Sequence, residues 1–151
     1  MKKTLIGLLL ISTVALGGIK PKQDNDFSGF DNIPAKELSA KLAKELTENM
    51  HLPAKIDYLT QMQSILSYGT SLIFSKEVNI EHKDIKEIWL KQRDRLIQAM
   101  FKIDAQNICQ TPIWRYMIYK RNIIPEFVYK DMNGKILFEY TVEADDCNAI
   151  Q

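Results

Sequence analysis

Cys109 and Cys147 are the only cysteines in the chain, and His51 and His82 its only histidines. Zinc takes four ligands of these types, but structural zinc sites draw them from closely spaced pairs. No two of the four are near neighbours in this sequence, so no metal is expected. The segment Asp131-Met132-Asn133-Gly134 has the oxygen ligands that open a calcium loop, which also needs a glutamate at its twelfth position. That position is Val142, inside an alternating apolar run, and Glu143 is one residue too late. Nucleophilic catalysis needs a base beside a nucleophile and a third group to orient it. None of the seven serines sits in a nucleophile-elbow pattern, and there is no glycine-rich phosphate loop. Glu143, Asp145 and Asp146 form an acid cluster suited to proton transfer, but at the end of the chain they read as a solvated tail. No catalytic residue and no cofactor emerge from these residues.

One segment concentrates recognition chemistry instead. Trp114-Arg115-Tyr116-Met117-Ile118-Tyr119-Lys120-Arg121 holds the side chains enriched at binding hot spots, which bury much area with few torsions to freeze. On a helix, Ile113, Met117 and Lys120 share one side while Arg115, Tyr119 and Asn122 share another, so the segment cannot bury everything. Trp114 and Met117 are expected inside. Arg115, Tyr119 and Arg121 are expected on a surface that contacts a protein partner.

The N-terminus sets the compartment in which this happens. Met1-Lys2-Lys3 is a positive n-region, Leu5 to Leu16 is an apolar run of signal-peptide length, and Ala15-Leu16-Gly17 offers the small residues a signal peptidase reads. Residues 1–17 are therefore read as a signal peptide removed before Gly18. The rival is an uncleaved anchor, although the apolar stretch 4–19 is short for a membrane span of about 20 residues. No cysteine follows the small residues, which closes the lipidation route. The precursor has a net charge of +1. Losing Lys2 and Lys3 leaves 18 basic against 19 acidic side chains, close to neutrality. Nothing in that balance favours nucleic acid or an anionic membrane as a partner. In an oxidising compartment two cysteines are most simply a disulfide, and only one intramolecular pairing exists. The thiols are too far apart in sequence for a Cys-x-x-Cys redox motif.

The elements that must position these residues follow from periodicity. Residues 18–31 are polar and aperiodic and read as a flexible tether, with Phe27 and Phe30 as anchors. A first helix is expected over 34–49, with Leu38, Leu42, Leu46 and Met50 in a narrow stripe, ended by His51-Leu52-Pro53. The segment 56–66 fits either a helical or a strand period. The turn cluster Ser67-Tyr68-Gly69-Thr70 favours a hairpin pairing 59–67 with 71–78. A long second helix is expected over 80–103, capped by Asn79, with a broad apolar face pressed across a sheet. Thr111-Pro112 opens a short third helix, and Asn122 is a left-handed stop. Phe127 to Tyr129 and Ile136 to Tyr140 alternate around Asn133-Gly134, the favoured pair for a type I′ hairpin, which sets Met132 opposite Lys135, Tyr129 opposite Phe138 and Phe127 opposite Tyr140. The fold expected for 32–151 is one disulfide-tied α+β domain: a small antiparallel sheet of two hairpins with helices mainly on one side.

From Leu52 to Cys147 the chain resembles a loose group of small exported bacterial proteins. The shared pattern is Leu52-Pro53, then Asp57 and a hairpin, Cys109 before a Pro-containing helix, a Tyr-rich hairpin with Tyr129, Asp131 and Gly134, and Cys147. The resemblance implies fold and compartment, and no activity.

Two function classes follow. The first is an exported, periplasmic or secreted, non-catalytic module that binds another envelope protein: an envelope or secretion accessory factor, or an inhibitor or immunity protein. The alternative is a small periplasmic hydrolase or lyase whose site assembles only in three dimensions. The first calls for an uncovered apolar patch, the second for a concave pocket with convergent polar groups. The leader carries its own test. N-terminal sequencing of the exported protein should begin near Gly18, whereas an intact Met1 recovered with the membrane fraction would make the leader an anchor.

Overall fold

The computed structural model describes residues 26–150. The signal peptide read at 1–17 and the start of the tether lie outside them. From Asp26 onward the chain is held. Ser28–Phe30 forms a 3-10 turn, and Phe27 and Phe30 pack on Tyr116 with ring centroids 5.4 and 6.4 Å apart. Loss of water and the hydrogen bond it donates to Asp31 push the Tyr116 phenol up to about 12.

The elements then run α1 (Ala35–Met50), β1 (Ala54–Lys55), β2 (Thr60–Tyr68), β3 (Ser71–Val78), α2 (Lys83–Lys91), α3 (Arg93–Cys109), α4 (Pro112–Arg121), β4 (Ile124–Lys130), β5 (Ile136–Thr141) and α5 (Ala144–Ala149). They form an α+β fold with one five-stranded sheet in the order β1-β2-β3-β4-β5. α1 buries the expected Leu38, Leu42 and Leu46 and ends at His51, which takes a left-handed φ of 50°. Its Ser39 hydroxyl bonds the Ser67 hydroxyl at 2.9 Å and the Ser71 carbonyl at 3.2 Å, fixing the helix across the β2–β3 hairpin.

The ambiguous 56–66 stretch resolves as strand. Tyr68 pairs with Ser71 around Gly69 at φ 62°, which a side chain would resist. Cross-strand partners share a face. Met62 with Lys76, Ile65 with Phe74 and Ser67 with Leu72 therefore point to one side, joined there by Phe127, Tyr129, Phe138 and Tyr140. The first four helices reach that side: Ser39 of α1 to Ser67, Trp89 of α2 to Phe138, Asp104 of α3 to Lys76, Trp114 of α4 to Phe74. The opposite face carries Glu77, Glu126, Lys130 and Glu139.

Four expectations are corrected. The sheet is not wholly antiparallel: β3 and β4 pair in parallel, Ser71 beside Ile124 and Phe74 beside Phe127. Three helices intervene between them, and a crossover of that kind returns the chain to run the same way. The long helix expected over 80–103 is two helices. Its cap is His82, whose Nδ1 accepts the Asp84 N–H at 3.3 Å, while Asn79 lies in the preceding turn. Gln92, at φ −138° and ψ 37°, then breaks the axis. The break serves β5: Trp89 packs on Phe138, Phe101 on Tyr140, and Arg93 between them donates to the Leu137 carbonyl at 2.6 Å.

The β4–β5 turn is the third. Gly134 alone takes a positive φ, 79°, while a type I′ turn would also need one at Asn133. The Asp131 carboxylate instead accepts the Asn133 and Lys135 N–H groups at 2.8 and 3.0 Å, and the Gly134 N–H bonds the Asp131 carbonyl. This is a three-residue loop of type I geometry closed by a glycine bulge. The register inward of it is the expected one, Tyr129 opposite Phe138 and Phe127 opposite Tyr140. Last, the acidic tail is a helix, α5, opened by a reciprocal capping box between Glu143 and Asp146.

Cys109 and Cys147 are bonded, with Cα atoms 5.1 Å apart. The bridge ties the end of α3 to α5. Closing such a loop stabilises by roughly 4 kcal/mol in the chain-entropy account. Replacing both cysteines by alanine should lower the unfolding free energy by about 2–4 kcal/mol in chemical denaturation. The intact mass of the native protein should rise by two hydrogens on reduction. Two freely alkylated thiols in protein taken from its native compartment would contradict the bridge.

Candidate functional site

Two charges lie within the helical face of the sheet. Lys76 of β3 is 4% exposed and Asp104 of α3 is 6% exposed, and their ion pair measures 2.6 Å. Tyr129 and Tyr140 donate to the other Asp104 oxygen at 2.6 and 2.8 Å. Lys76 also donates to the Tyr129 oxygen at 3.0 Å, and its ammonium lies 4.7 Å from the Phe127 ring centroid. The carboxylate thus holds three donors, which is what keeps a buried anion tolerable. Burial lowers the Lys76 pKa despite its partner, and raises those of Tyr129 and Tyr140, where the nearby Asp104 charge adds to the effect.

Beside this cluster opens a cavity of about 130 Å³ between α3, α4 and the sheet. Met62, Phe74 and Phe127 make its apolar floor, Lys76 and Asp104 one wall, and Asn107, Gln110 and Thr111 its polar rim. Ile108 and Trp114 complete the lining. The Trp114 indole is 3% exposed, and the buried Nε1–H meets no acceptor among the described residues.

The expected partner-binding residues lie on α4, away from that network. Arg115 and Tyr119 are exposed, and the guanidinium stacks over the Tyr119 ring at 5.7 Å. The Tyr119 hydroxyl also donates to the Ala144 carbonyl at 3.0 Å and to Asn148 at 2.7 Å, tying α4 to α5. Arg121 turns toward the N-terminal segment, donating to the Asp31 carbonyl at 3.1 Å and to that of Ile33. Trp114 and Met117 are buried as expected.

A second surface was not anticipated. The helix expected over 80–103 should press a broad apolar face on the sheet, yet Ile88, Leu90 and Ile103 are 42%, 73% and 56% exposed. Along one side of α3 Ala99 and Ile103 are exposed, while Leu96 is partly buried against the core. The sequence reading also missed Lys76 and Asp104. Both had a signal. Lys76 falls in the inward phase of Leu72, Phe74 and Val78, and Asp104 in the helical phase of Met100, Phe101, Ala105 and Ile108. Among the described residues no three of His, Cys, Asp and Glu gather as a metal site, and no helix is long and apolar enough to cross a membrane.

The buried cluster fixes stability and its pH dependence. Asp104→Ala strands the Lys76 charge and should cost about 3–5 kcal/mol, while Lys76→Met with Asp104→Leu should cost much less. Tyr129 and Tyr140 bind their protons more tightly folded than unfolded. Their contribution is whole below pH 10 and is lost as pH rises above it. Lys76 acts oppositely, since the unfolded chain holds its proton more tightly; its burial cost is relieved as pH climbs toward 10.5. Stability measured by denaturant should therefore decline above about pH 10. Tyr129→Phe with Tyr140→Phe should flatten that decline; an unchanged slope would exclude these phenols as its source.

No family model matches the chain, and no curated protein matches its sequence. Its fold is similar to that of solved bacterial proteins. EpsS, the pilotin of the Vibrio vulnificus type 2 secretion system, is 13% identical with a TM-score of 0.60, over 79% of this chain and 96% of that one. AspS, the type II secretion system pilotin of Vibrio cholerae, is 12% identical with a TM-score of 0.58, over 80% and 98%. A Pseudomonas aeruginosa protein described as a candidate secreted protein is 15% identical with a TM-score of 0.57, over 75% and 96%. At these identities the likeness is one of fold, and it spans nearly the whole of each of the three.

Proposed function

We propose that this protein is an exported accessory factor of the bacterial envelope that works by docking another envelope protein, with the exposed apolar residues of α2 and α3 as the principal contact. The observation that carries this reading is the uncovered apolar surface there. Helical periodicity asks for burial of Ile88 and Ile103, yet both are exposed, and Leu90 more so. A face of that kind is characteristic of interaction sites. Arg115 and Tyr119 supply a second, preassembled contact on α4, because their stacking limits the freedom a partner must freeze. Arg121 supports that contact from behind through the carbonyls it holds.

Export is supported by the signal-peptide pattern and by the disulfide, which belongs to an oxidising compartment. The similarity in fold to two type II secretion pilotins supports a secretion accessory in particular. The hydrolase or lyase reading is weaker. Asp104 and Lys76 satisfy one another and the tyrosines, so neither is left free to act as a base or nucleophile.

The test is capture from a detergent-solubilised envelope extract with the oxidised protein as bait, followed by crosslink mapping. Leu90→Asp with Ile103→Asp should leave stability within about 0.5 kcal/mol, as surface changes usually do. It should weaken capture of the crosslinked protein at least tenfold, a loss of about 1.4 kcal/mol. Arg115→Ala with Tyr119→Ala should cause a smaller loss. Undiminished capture by both variants, or recovery of nothing but a second copy of this chain, would overturn the proposal.

A further inference from the structure

We infer that the free edge of β5 receives an extended segment of the docked protein as a sixth strand, with a basic side chain set against Glu139. This deepens the docking reading and rests on it for the protein that supplies the strand.

The two edges of the sheet are finished differently. On one side β1 pairs with Gln61 and Met62 of β2, and the Thr47 hydroxyl of α1 donates to the Ile65 carbonyl further along. β5 ends the other side and pairs with β4 alone. In an antiparallel ladder alternate residues turn both backbone groups toward the neighbouring strand, and those between turn both away. The Val142 N–H bonds the Pro125 carbonyl, so Tyr140 and Phe138 share the inward phase while Leu137, Glu139 and Thr141 face outward. Arg93 bears this out by donating to the Leu137 carbonyl from α3, outside the β4–β5 pair. The N–H and C=O groups of Glu139 and Thr141 turn the same way and meet no partner among the described residues. A row of open backbone groups on a terminal strand is a template for another strand.

Side chains select the kind of strand. Phe138 and Tyr140 point to the helical side, where Trp89 and Phe101 pack on them, yet all four rings keep partial exposure. An added strand would bring every second side chain in beside Phe138 and Tyr140, and apolar ones there would extend the burial. Glu139 lies on the opposite face, across from Val128 and diagonal to Glu126. Neither carboxylate forms an ion pair among the described residues. The residue opposite Glu139 shares its face, so a lysine or arginine at that place meets unlike charge. A second copy of this chain would bring another Glu139 to the same strip, and like charges across strands are destabilising.

The probe is the synthetic peptide acetyl-Thr-Val-Lys-Val-Thr-amide, whose order of side chains is the same in both strand directions. It sets lysine on one face and both valines on the other. Added to the oxidised, 15N-labelled protein, it should shift the Glu139 and Thr141 amides downfield and saturably, with a dissociation constant of about 1 mM. The Phe138 and Tyr140 amides, already bonded to β4, should move far less. Glutamate in place of the peptide's lysine should weaken binding about threefold, and Glu139→Lys should reverse that preference. Thr141→Pro removes an edge donor but no ladder bond, a change that edge strands tolerate, and should cut affinity at least about threefold. No shift up to about 10 mM peptide, shifts without the alternation, or a charge preference that Glu139→Lys leaves unchanged would overturn the inference. When the captured envelope protein is bound, the same two amides should be protected from hydrogen exchange. If capture depends on Leu90 and Ile103 while these amides exchange as in the free protein, the docking reading stands and the sixth strand falls. Peptide binding with the alternating pattern, alongside capture undiminished by Leu90→Asp with Ile103→Asp, would uphold the edge site and overturn the docking reading alone.

Discussion

Asp104 sits where α3 crosses β3, β4 and β5, and a bare carboxylate at that depth would cost several kcal/mol. Each neighbour that relieves the cost comes from a different strand: Lys76 from β3, Tyr129 from β4, Tyr140 from β5. The cluster therefore acts as a register lock. Sliding β5 by one residue would turn Tyr140 to the other face, and slipping β3 against β4 would separate Lys76 from Tyr129. The parallel β3–β4 pairing, which has no turn of its own to set its register, gains one from this cluster. Around it the aromatic rings of Phe127, Tyr129, Phe138 and Tyr140 keep water out, which strengthens the bonds they enclose.

The disulfide completes the arrangement from the other end of α3. Asp104 and Cys109 are little more than one turn apart, so the helix is fixed to the sheet by one and to α5 by the other. α4 follows directly and is tied to α5 by the Tyr119 hydroxyl. The C-terminal half of α3 is thus rigid, while its N-terminal half and α2 touch β5 mainly through Trp89, Arg93 and Phe101. Ile88 and Leu90 lie on the lightly held side of this division and Ile103 at its border with the rigid one.

The residues that carry the likeness to small exported bacterial proteins prove to be structural. Asp57 caps the Leu59 and Thr60 N–H groups at 2.7 Å each, Asp131 organises the β4–β5 loop, and Gly134 takes the positive φ that loop needs. None of them lines the cavity. That separation is why a shared pattern of this kind speaks of fold and is silent about ligands or partners.

Local rules sufficed wherever a few adjacent residues decide the outcome. The leucine stripe of α1 and its end near Pro53, the Thr111-Pro112 opening and Asn122 stop of α4, the β2–β3 hairpin and the aromatic register of β4 on β5 were all legible, because periodicity and turn chemistry act within a dozen residues. With only two cysteines, their pairing was legible by counting. What the linear order could not contain was any balance struck between distant segments. The break at Gln92 has no helix-breaking residue behind it and exists because two aromatic contacts and one arginine must all reach β5. The Asp131 carboxylate outcompeted the intrinsic preference of Asn133-Gly134. Lys76 and Asp104 are each costly alone in a core, and only their meeting, 28 positions apart, makes both acceptable there. The cavity beside them and the orphaned Trp114 N–H belong to the same category. Both are properties of how helices and sheet fail to close completely, and packing of that kind is decided in three dimensions.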